Sequence, residues 1–248
     1  MKISIITIVF NGETTIARAI ESVLSQKNVE IEYIVIDGCS QDKTLEAIAP
    51  YQKQLTHLIS EKDEGIYDAM NKGIKLASGD VVGILNADDF YANPKVLSLV
   101  MHQFSDSRVD AVYGDLVYFR PENPDKIVRS YRSHQFHPAK LSRGLIPAHP
   151  TLFLRKKVYE RFGLFNSSYK IAGDFEFMIR IFKAEIINAK YLPMVMVRMQ
   201  MGGISTGGLR NTLLLLKENR RACRENGIST SYLRLLSRYP RKLFEYIS

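Results

Sequence analysis

Residues 3–12 read Ile3-Ser4-Ile5-Ile6-Thr7-Ile8-Val9-Phe10-Asn11-Gly12, a β-branched apolar run halted by an Asn-Gly turn signal. The run is too short to span a bilayer. It also lacks the small-residue cleavage site of a leader peptide, so it is expected to be a buried first strand. Thr14–Gln26 follows as a helix with Ile16, Ile20, Val23 and Leu24 on one face. Ile31–Ile36 is a second strand ending at Asp37, and Asp42–Gln54 a second helix. His57–Ser60 is a short third strand, and Gly65–Ala77 a helix carrying Ile66, Met70 and Ile74. Val81–Leu85 is a fourth strand ending at Asn86. Strands alternating with helices of this length predict an α/β fold, a mostly parallel sheet with helices on both faces. Ligands of such sheets gather at the carboxyl ends of the strands.

The second half is less regular. Ala111–Phe119, Thr151–Arg155 and Tyr191–Gln200 read as strands, and Asp174–Lys183 as a helix. Arg120–Asp125 and Ser133–Leu145 read as polar connections, the latter long enough for a mobile active-site loop. Hydrophobic residues make up 46% of the 248 and charged residues 24%, ordinary values that exclude a disordered chain. The net charge of +8 is concentrated at the end: residues 209–248 hold nine Lys/Arg against three acids. A nearly neutral body argues against nucleic-acid binding, and the basic tail calls for a partner of its own. Cys39 and Cys223 have no metal-ligand spacing and suit a reducing, cytoplasmic setting.

Three strand ends deliver polar groups to one edge. Asp37 opens Asp37-Gly38-Cys39-Ser40-Gln41-Asp42-Lys43-Thr44, Asp63 follows the third strand, and Asn86-Ala87-Asp88-Asp89 closes the fourth. Clustered carboxylates suit Mg²⁺ or Mn²⁺, hard cations that bridge one or two carboxylates to substrate phosphates. Each acid taken alone is also an ordinary loop or cap residue.

These segments, together with Asp63-Glu64-Gly65-Ile66-Tyr67-Asp68-Ala69-Met70-Asn71-Lys72-Gly73-Ile74, resemble the family 2 glycosyltransferases of GT-A fold. The third segment resembles a subgroup common in bacterial surface-polysaccharide gene clusters. The resemblance spans roughly residues 1 to 205, so the division implied is a glycosyltransferase domain at 1–208 and a basic amphipathic helical tail at 209–248. Within the domain, 1–105 would be the nucleotide-binding half and 106–208 the acceptor side. It implies a nucleotide-sugar donor, with a UDP-sugar favoured, and a glycan or lipid-linked acceptor. Asp37 would hydrogen-bond the base, with Asp63 beside it and Val9, Asn11, Tyr67 and Asn71 completing the nucleotide site. Asn86 would sit near the ribose, and Asp88 would bind the metal on the diphosphate. The family's usual Asp-Ala-Asp-Asp begins here with Asn86, leaving one carboxylate fewer near the cation. Cys39 stands where the family usually has Ser, a turn position that tolerates a small buried Cys.

Gly173-Asp174-Phe175-Glu176 resembles the family's second-half motif, which implies Asp174 as the base of an inverting transfer. The other account of Asp174 is a helix cap. His149 lies where the family places a residue near the acceptor or diphosphate, and Lys72 and Arg180 are candidates for phosphate contact. Gly202-Gly203-Ile204-Ser205 is a candidate flap. The chain has no Trp and hence no Gln-x-x-Arg-Trp motif of processive synthases. A sugar nucleotidyltransferase is disfavoured by the acidic Asn11-Gly12-Glu13-Thr14 loop, and a non-catalytic binding protein by the retained Asp88 and Asp174. The tail reads as two basic helices separated near Gly227. Either they lie on an anionic membrane surface, or their apolar faces pack on the domain or on a second subunit.

Overall fold

The computed structural model describes residues 1–183, 186–202 and 208–238. Its sheet is built from β1 (Lys2–Val9), β2 (Glu30–Asp37), β3 (His57–Ser60), β4 (Val81–Asn86), β5 (Phe90–Tyr91), β6 (Ala111–Arg120), β7 (Asn123–Tyr131), β8 (Phe153–Arg155) and β9 (Ala189–Gln200). The strand order is β3-β2-β1-β4-β8-β6-β9-β5, with β7 on β6. β3, β2, β1 and β4 run parallel. β8 is inserted antiparallel between β4 and β6, while β6 and β9 are parallel. This is the expected mostly parallel sheet.

Period-two alternation divides the strands between two cores. Ile6, Ile8, Ile34, Ile36 and Ile84 pack on one face with Met70 and Ile74 of α3 (Ile66–Leu76) and with α6 (Gly173–Phe182). Ile3, Ile5, Tyr33, Val35 and Leu85 pack on the other with Ile16, Ile20 and Val23 of α1 (Ile16–Leu24) and Val96 and Val100 of α4 (Val96–Gln103). Burying each such side chain contributes about 1.5–3 kcal/mol, so central strands apolar on both faces anchor the domain.

Several expectations need correction. The helix at Asp42–Gln54 is shorter: α2 covers Thr44–Ile48 and gives way to a 3-10 turn at Ala49–Gln54. Pro50 is the reason, since it has no N–H to give to the carbonyl of Glu46. The supposed connection at Arg120–Asp125 is a tight turn into β7, an edge strand with Asp125, Lys126 and Ile127 exposed and Arg129 buried. Ser133–Leu145 is docked rather than loose. It holds a 3-10 turn at Pro138–Arg143, buries Leu141, and sets the Phe136 ring 5.0 Å from that of Phe182. Cys39 is exposed, with φ +66, instead of buried. A short helix, α5 (Lys156–Phe162), follows β8. The tail forms α7 (Gly208–Glu225) and α8 (Tyr232–Leu236), with a left-handed Gly227 between them. α7 is no free appendage, because its Ala222 and Cys223 are fully buried in the core that contains α6. Residues 203–205 of the candidate flap lie outside the described residues.

At the opposite end of the sheet from the carboxyl edge, Glu32 is buried in a polar knot. Its carboxylate accepts from Ser4 Oγ (2.5 Å), Ser78 N (2.6 Å), Ser78 Oγ and Lys2 Nζ (3.2 Å). Burial alone would raise its pKa, but these donors together hold it down at about 2. The folded-state value is thus below the ordinary 4.5. The stabilisation is therefore present above pH 4.5 and is lost as pH falls from there towards about 2. Glu32→Gln should cost on the order of 2 kcal/mol at neutral pH. It should also flatten stability against pH across that acid window, as read by urea unfolding.

Candidate active site

Parallel register brings the strand ends together: Val9 stands opposite Asp37, and Ile8 opposite Asn86. The loops that follow are laced to each other. Asn11, in the left-handed region at φ +50, receives the Gln41 N–H on Oδ1 (2.8 Å) and donates its own N–H to Ser40 Oγ (2.8 Å). Gly12 N donates to Thr44 Oγ1 (2.8 Å), and Lys43 N to Glu13 (2.9 Å). Val9 is buried, and its carbonyl accepts from Gly38 N (2.9 Å).

Asp37 is fully buried. Its oxygens accept from Ser40 Oγ (2.5 Å), Ser60 Oγ (2.6 Å) and Ser40 N. Asp63 is only partly buried, and it lies so close over Gly38 that any Cβ there would collide with its carboxylate. Asp37 thus ties the two loops together, and Asp63 is the more exposed acid of the pair. Asn71 is likewise committed, exchanging a pair of 2.9 Å hydrogen bonds with the backbone of Phe165. Lys72 pairs with Glu61 and Asp68, and Arg180 with Glu176 and the carbonyls of Phe162 and Leu164, so neither cation is poised for a phosphate.

At the end of β4 the two acids again differ. Asp89 is fully buried, accepts from Gln200 N (3.2 Å) and Asn86 Nδ2 (3.4 Å), and has its pKa pushed well up by burial and by Asp88. Asp88 is partly buried; burial raises its pKa while the Arg18 cation opposes the rise. Asn86 Oδ1 is buried with no hydrogen-bond partner. Arg18 was not anticipated. Its guanidinium lies beside the packed Phe90 and Phe119 rings, 4.8 Å from each centroid, and donates to Gln200 Oε1 (3.2 Å) and the Asp88 carbonyl (3.5 Å). It braces the Asp88 turn from behind. An Arg on the polar side of α1 carries no periodic signal that would mark it in sequence.

Among the described residues, the unpartnered oxygen of Asn86 and the carboxylate of Asp88 are oxygen donors of the kind hard cations take. Among the described residues no three His, Cys, Asp or Glu gather into a metal-binding group. One carboxylate and one amide oxygen fit Mg²⁺ or Mn²⁺ that takes its other ligands from phosphates and water; they do not form a closed cage.

A second cluster lies at the start of α6. Asp174 Oδ1 accepts from Phe175 N (2.8 Å) and is 3.4 Å from the Tyr67 hydroxyl, which also donates to Ile171 O (2.6 Å). Gly173 permits this approach, because a Cβ there would meet the Tyr67 ring at 2.7 Å. Burial and the nearby Asp174 push the Tyr67 phenol far up, so it remains a proton donor. His149 is partly buried edge-on to Phe165 (6.0 Å). Burial lowers its pKa against the opposing pull of Asp174, so the imidazole is neutral at pH 7. α3 joins the clusters, since it starts just after Asp63 and carries Tyr67.

Glu218 of α7 was also unforeseen. Its buried carboxylate accepts three successive N–H groups, from Lys170, Ile171 and Ala172, each at 2.9 Å. A lone acid in a basic stretch reads as surface charge balance; only the packing of α7 shows that it anchors the turn before Asp174.

The fold is that of the GT-A group, and similarity to known proteins identifies the class. The family model described as Glycosyl transferase family 2 matches residues 4–163, and the chain belongs to this family. A PGL/p-HBAD biosynthesis glycosyltransferase of Mycobacterium bovis is 28% identical over 218 residues, covering 85% of this chain and 80% of the relative. A glycosyltransferase of Mycobacterium tuberculosis is 30% identical over 184 residues, covering 72% and 68%. Among solved structures, Staphylococcus aureus TarS 1–349 in complex with UDP-GlcNAc superposes with TM-score 0.70 at 17% identity, covering 97% of this chain and 72% of that one. The mannosyltransferase PcManGT of Pyrobaculum calidifontis, in complex with GDP-Man and Mn²⁺, gives 0.64 at 18% identity, covering 88% and 64%.

Glu218→Ala would leave three N–H groups without an acceptor. It should destabilise the protein by roughly 2–4 kcal/mol in urea unfolding, and hydrogen exchange should rise first at residues 170–172.

Proposed function

We propose that this glycosyltransferase transfers a sugar from a nucleoside-diphosphate sugar, a UDP-sugar in the favoured reading, to a hydroxyl of a glycan or lipid-linked acceptor, with inversion. The setting inferred is bacterial surface-polysaccharide synthesis. The observation that carries the reading is the pairing of two sites through α3: Asp63, Asn86 and Asp88 at the strand ends, and Asp174 with Tyr67 and His149 at the start of α6. UDP-GlcNAc and GDP-Man in the structural neighbours support a donor of this class.

In this reading Asp63 recognises the base, and Asn86 Oδ1 receives a ribose hydroxyl or a ligand of the diphosphate site. Asp88 and Asn86 would hold Mg²⁺ or Mn²⁺, which when bound neutralises charge on the departing diphosphate. The acceptor hydroxyl attacks the anomeric carbon from the face opposite the diphosphate. The new C–O bond forms as the bond to the phosphate oxygen breaks, the nucleoside diphosphate leaves, and the acceptor proton passes to a carboxylate oxygen of Asp174. The Tyr67 hydroxyl, bonded to Ile171 O, stands 3.4 Å from that carboxylate, and Glu218 holds the preceding turn. Neutral His149 supplies a polar wall without adding a cation beside the base. Two committed acids, Asp37 and Asp89, keep the loops in place and take no part in chemistry.

Asp174→Asn should reduce turnover by at least about a hundredfold and leave nucleotide binding unchanged, as followed by product formation and thermal unfolding. Wild-type turnover in that variant would remove Asp174 as the base.

Because the cation's protein ligands are few, Mn²⁺ alone should leave the unfolding midpoint unchanged. UDP with Mn²⁺ should raise it by mass action, and Asp88→Asn should abolish the metal-dependent part. A midpoint rise with GDP or dTDP in place of UDP would reassign the donor class. No rise with any nucleoside diphosphate would count against the donor site itself.

A further inference from the structure

Away from the strand-end site, α8 docks on the 3-10 turn at Pro138–Arg143. Thr230 Oγ1 donates to Ser142 O (2.5 Å), Arg238 Nη1 donates to Gly144 O (3.1 Å), and Leu235 is fully buried. Between the two segments lies a cleft of about 570 Å³, lined by Lys140, Arg143, Arg234 and Arg238 with Leu145 and Leu233. Its lining holds four cations and no carboxylate, with Lys140 bonded to Gln135 O (2.7 Å) and Arg238 to Gly144 O, and Arg143 and Arg234 exposed. Two of the cations come from the body of the domain and two from the C-terminal segment, so tertiary docking makes the concentration of charge. Like charges gathered this way repel, and the arrangement is favourable when an anion occupies it. The same short helix also holds three apolar side chains out in solvent: Leu233 is 82% exposed, Tyr232 42% and Leu236 41%. A basic cleft rimmed by exposed apolar residues matches an anionic lipid surface, which offers phosphate to the cations and an acyl boundary to the leucines.

We propose that this cleft binds the phosphate of an anionic phospholipid headgroup, and that Leu233 and its exposed neighbours on α8 enter the lipid boundary beside it. The site lies outside the donor and base residues, and the inference stands whether or not the transfer reaction is as described above. Of the two accounts open for the tail, packing explains α7. The surface left for a partner is α8 with its cleft.

The test is co-sedimentation of the full-length protein with phosphatidylcholine vesicles, with and without phosphatidylglycerol. Wild-type protein should sediment only with phosphatidylglycerol vesicles, and salt should release it. Arg143→Ser/Arg234→Ser removes two exposed cations of the cleft and should weaken binding roughly thirtyfold, equivalent to about 1 kcal/mol for each. Lys53→Ser/Lys75→Ser removes the same charge from exposed positions in the first half and should stay within roughly twofold of wild type. Leu233→Ser should weaken binding roughly tenfold while keeping its salt sensitivity. The proposal is overturned if wild-type protein ignores the acidic vesicles, or if the two double variants lose affinity equally. It is also overturned if inorganic pyrophosphate raises the midpoint of wild type but not of Arg143→Ser/Arg234→Ser while no vesicle is bound. That last result would assign the cleft to a soluble phosphate compound.

Discussion

The parallel register of β1 with β2 and β4 is the constraint on which the rest depends. It sets Val9 against Asp37 and Ile8 against Asn86, so loops distant in sequence leave the sheet from one edge. A slip of one residue would turn every side chain to the opposite face. With isoleucines packed against α3 on one side and α1 on the other, no slipped register could keep both cores filled. The hydrophobic packing of the strands therefore fixes the geometry of the polar site at their ends.

At that edge, polar residues divide into those that hold and those left accessible. Asp37, Asn71 and Asp89 are buried and spend their hydrogen-bonding capacity on neighbouring loops. Asp63 and Asp88 are only partly buried, and Asn86 keeps an oxygen without a partner. Buried polar groups left half-satisfied are costly. Arg18 adds to this support by bonding the Asp88 carbonyl from beside two packed aromatic rings, where a cation loses hydration but gains contact with the rings.

The second half of the chain assembles around Asp174 in a comparable way, with contributions from three separate regions. Tyr67 comes from α3, Gly173 opens the space for its ring, and Glu218 reaches back from α7 to gather three N–H groups of the preceding turn. The C-terminal segment is thereby part of the site's support, and its buried Ala222 and Cys223 belong to the same core as α6. Two of its basic residues, Arg234 and Arg238, meet Lys140 and Arg143 at the cleft beside the Pro138–Arg143 turn.

The sequence by itself determined the alternation of strands and helices, the strand ends that carry Asp37, Asp63 and Asn86-Ala87-Asp88-Asp89, and the helix opened by Asp174. These are local signals, because side-chain period and turn residues report on a few neighbours along the chain. The motif resemblance added the family, which the match over residues 4–163 bears out. Tertiary structure alone decided that Asp37 is buried while Asp63 is partly exposed, and that Asn71 bonds the Phe165 backbone and Arg180 pairs with Glu176. It also decided that Arg18 and Glu218 brace the site and that β7 pairs with β6. Each of these depends on which groups meet across tens or hundreds of residues, and on which hydrogen bonds those meetings use up. Neither composition nor periodicity along the chain carries that information, because desolvation and pairing are properties of the packed whole.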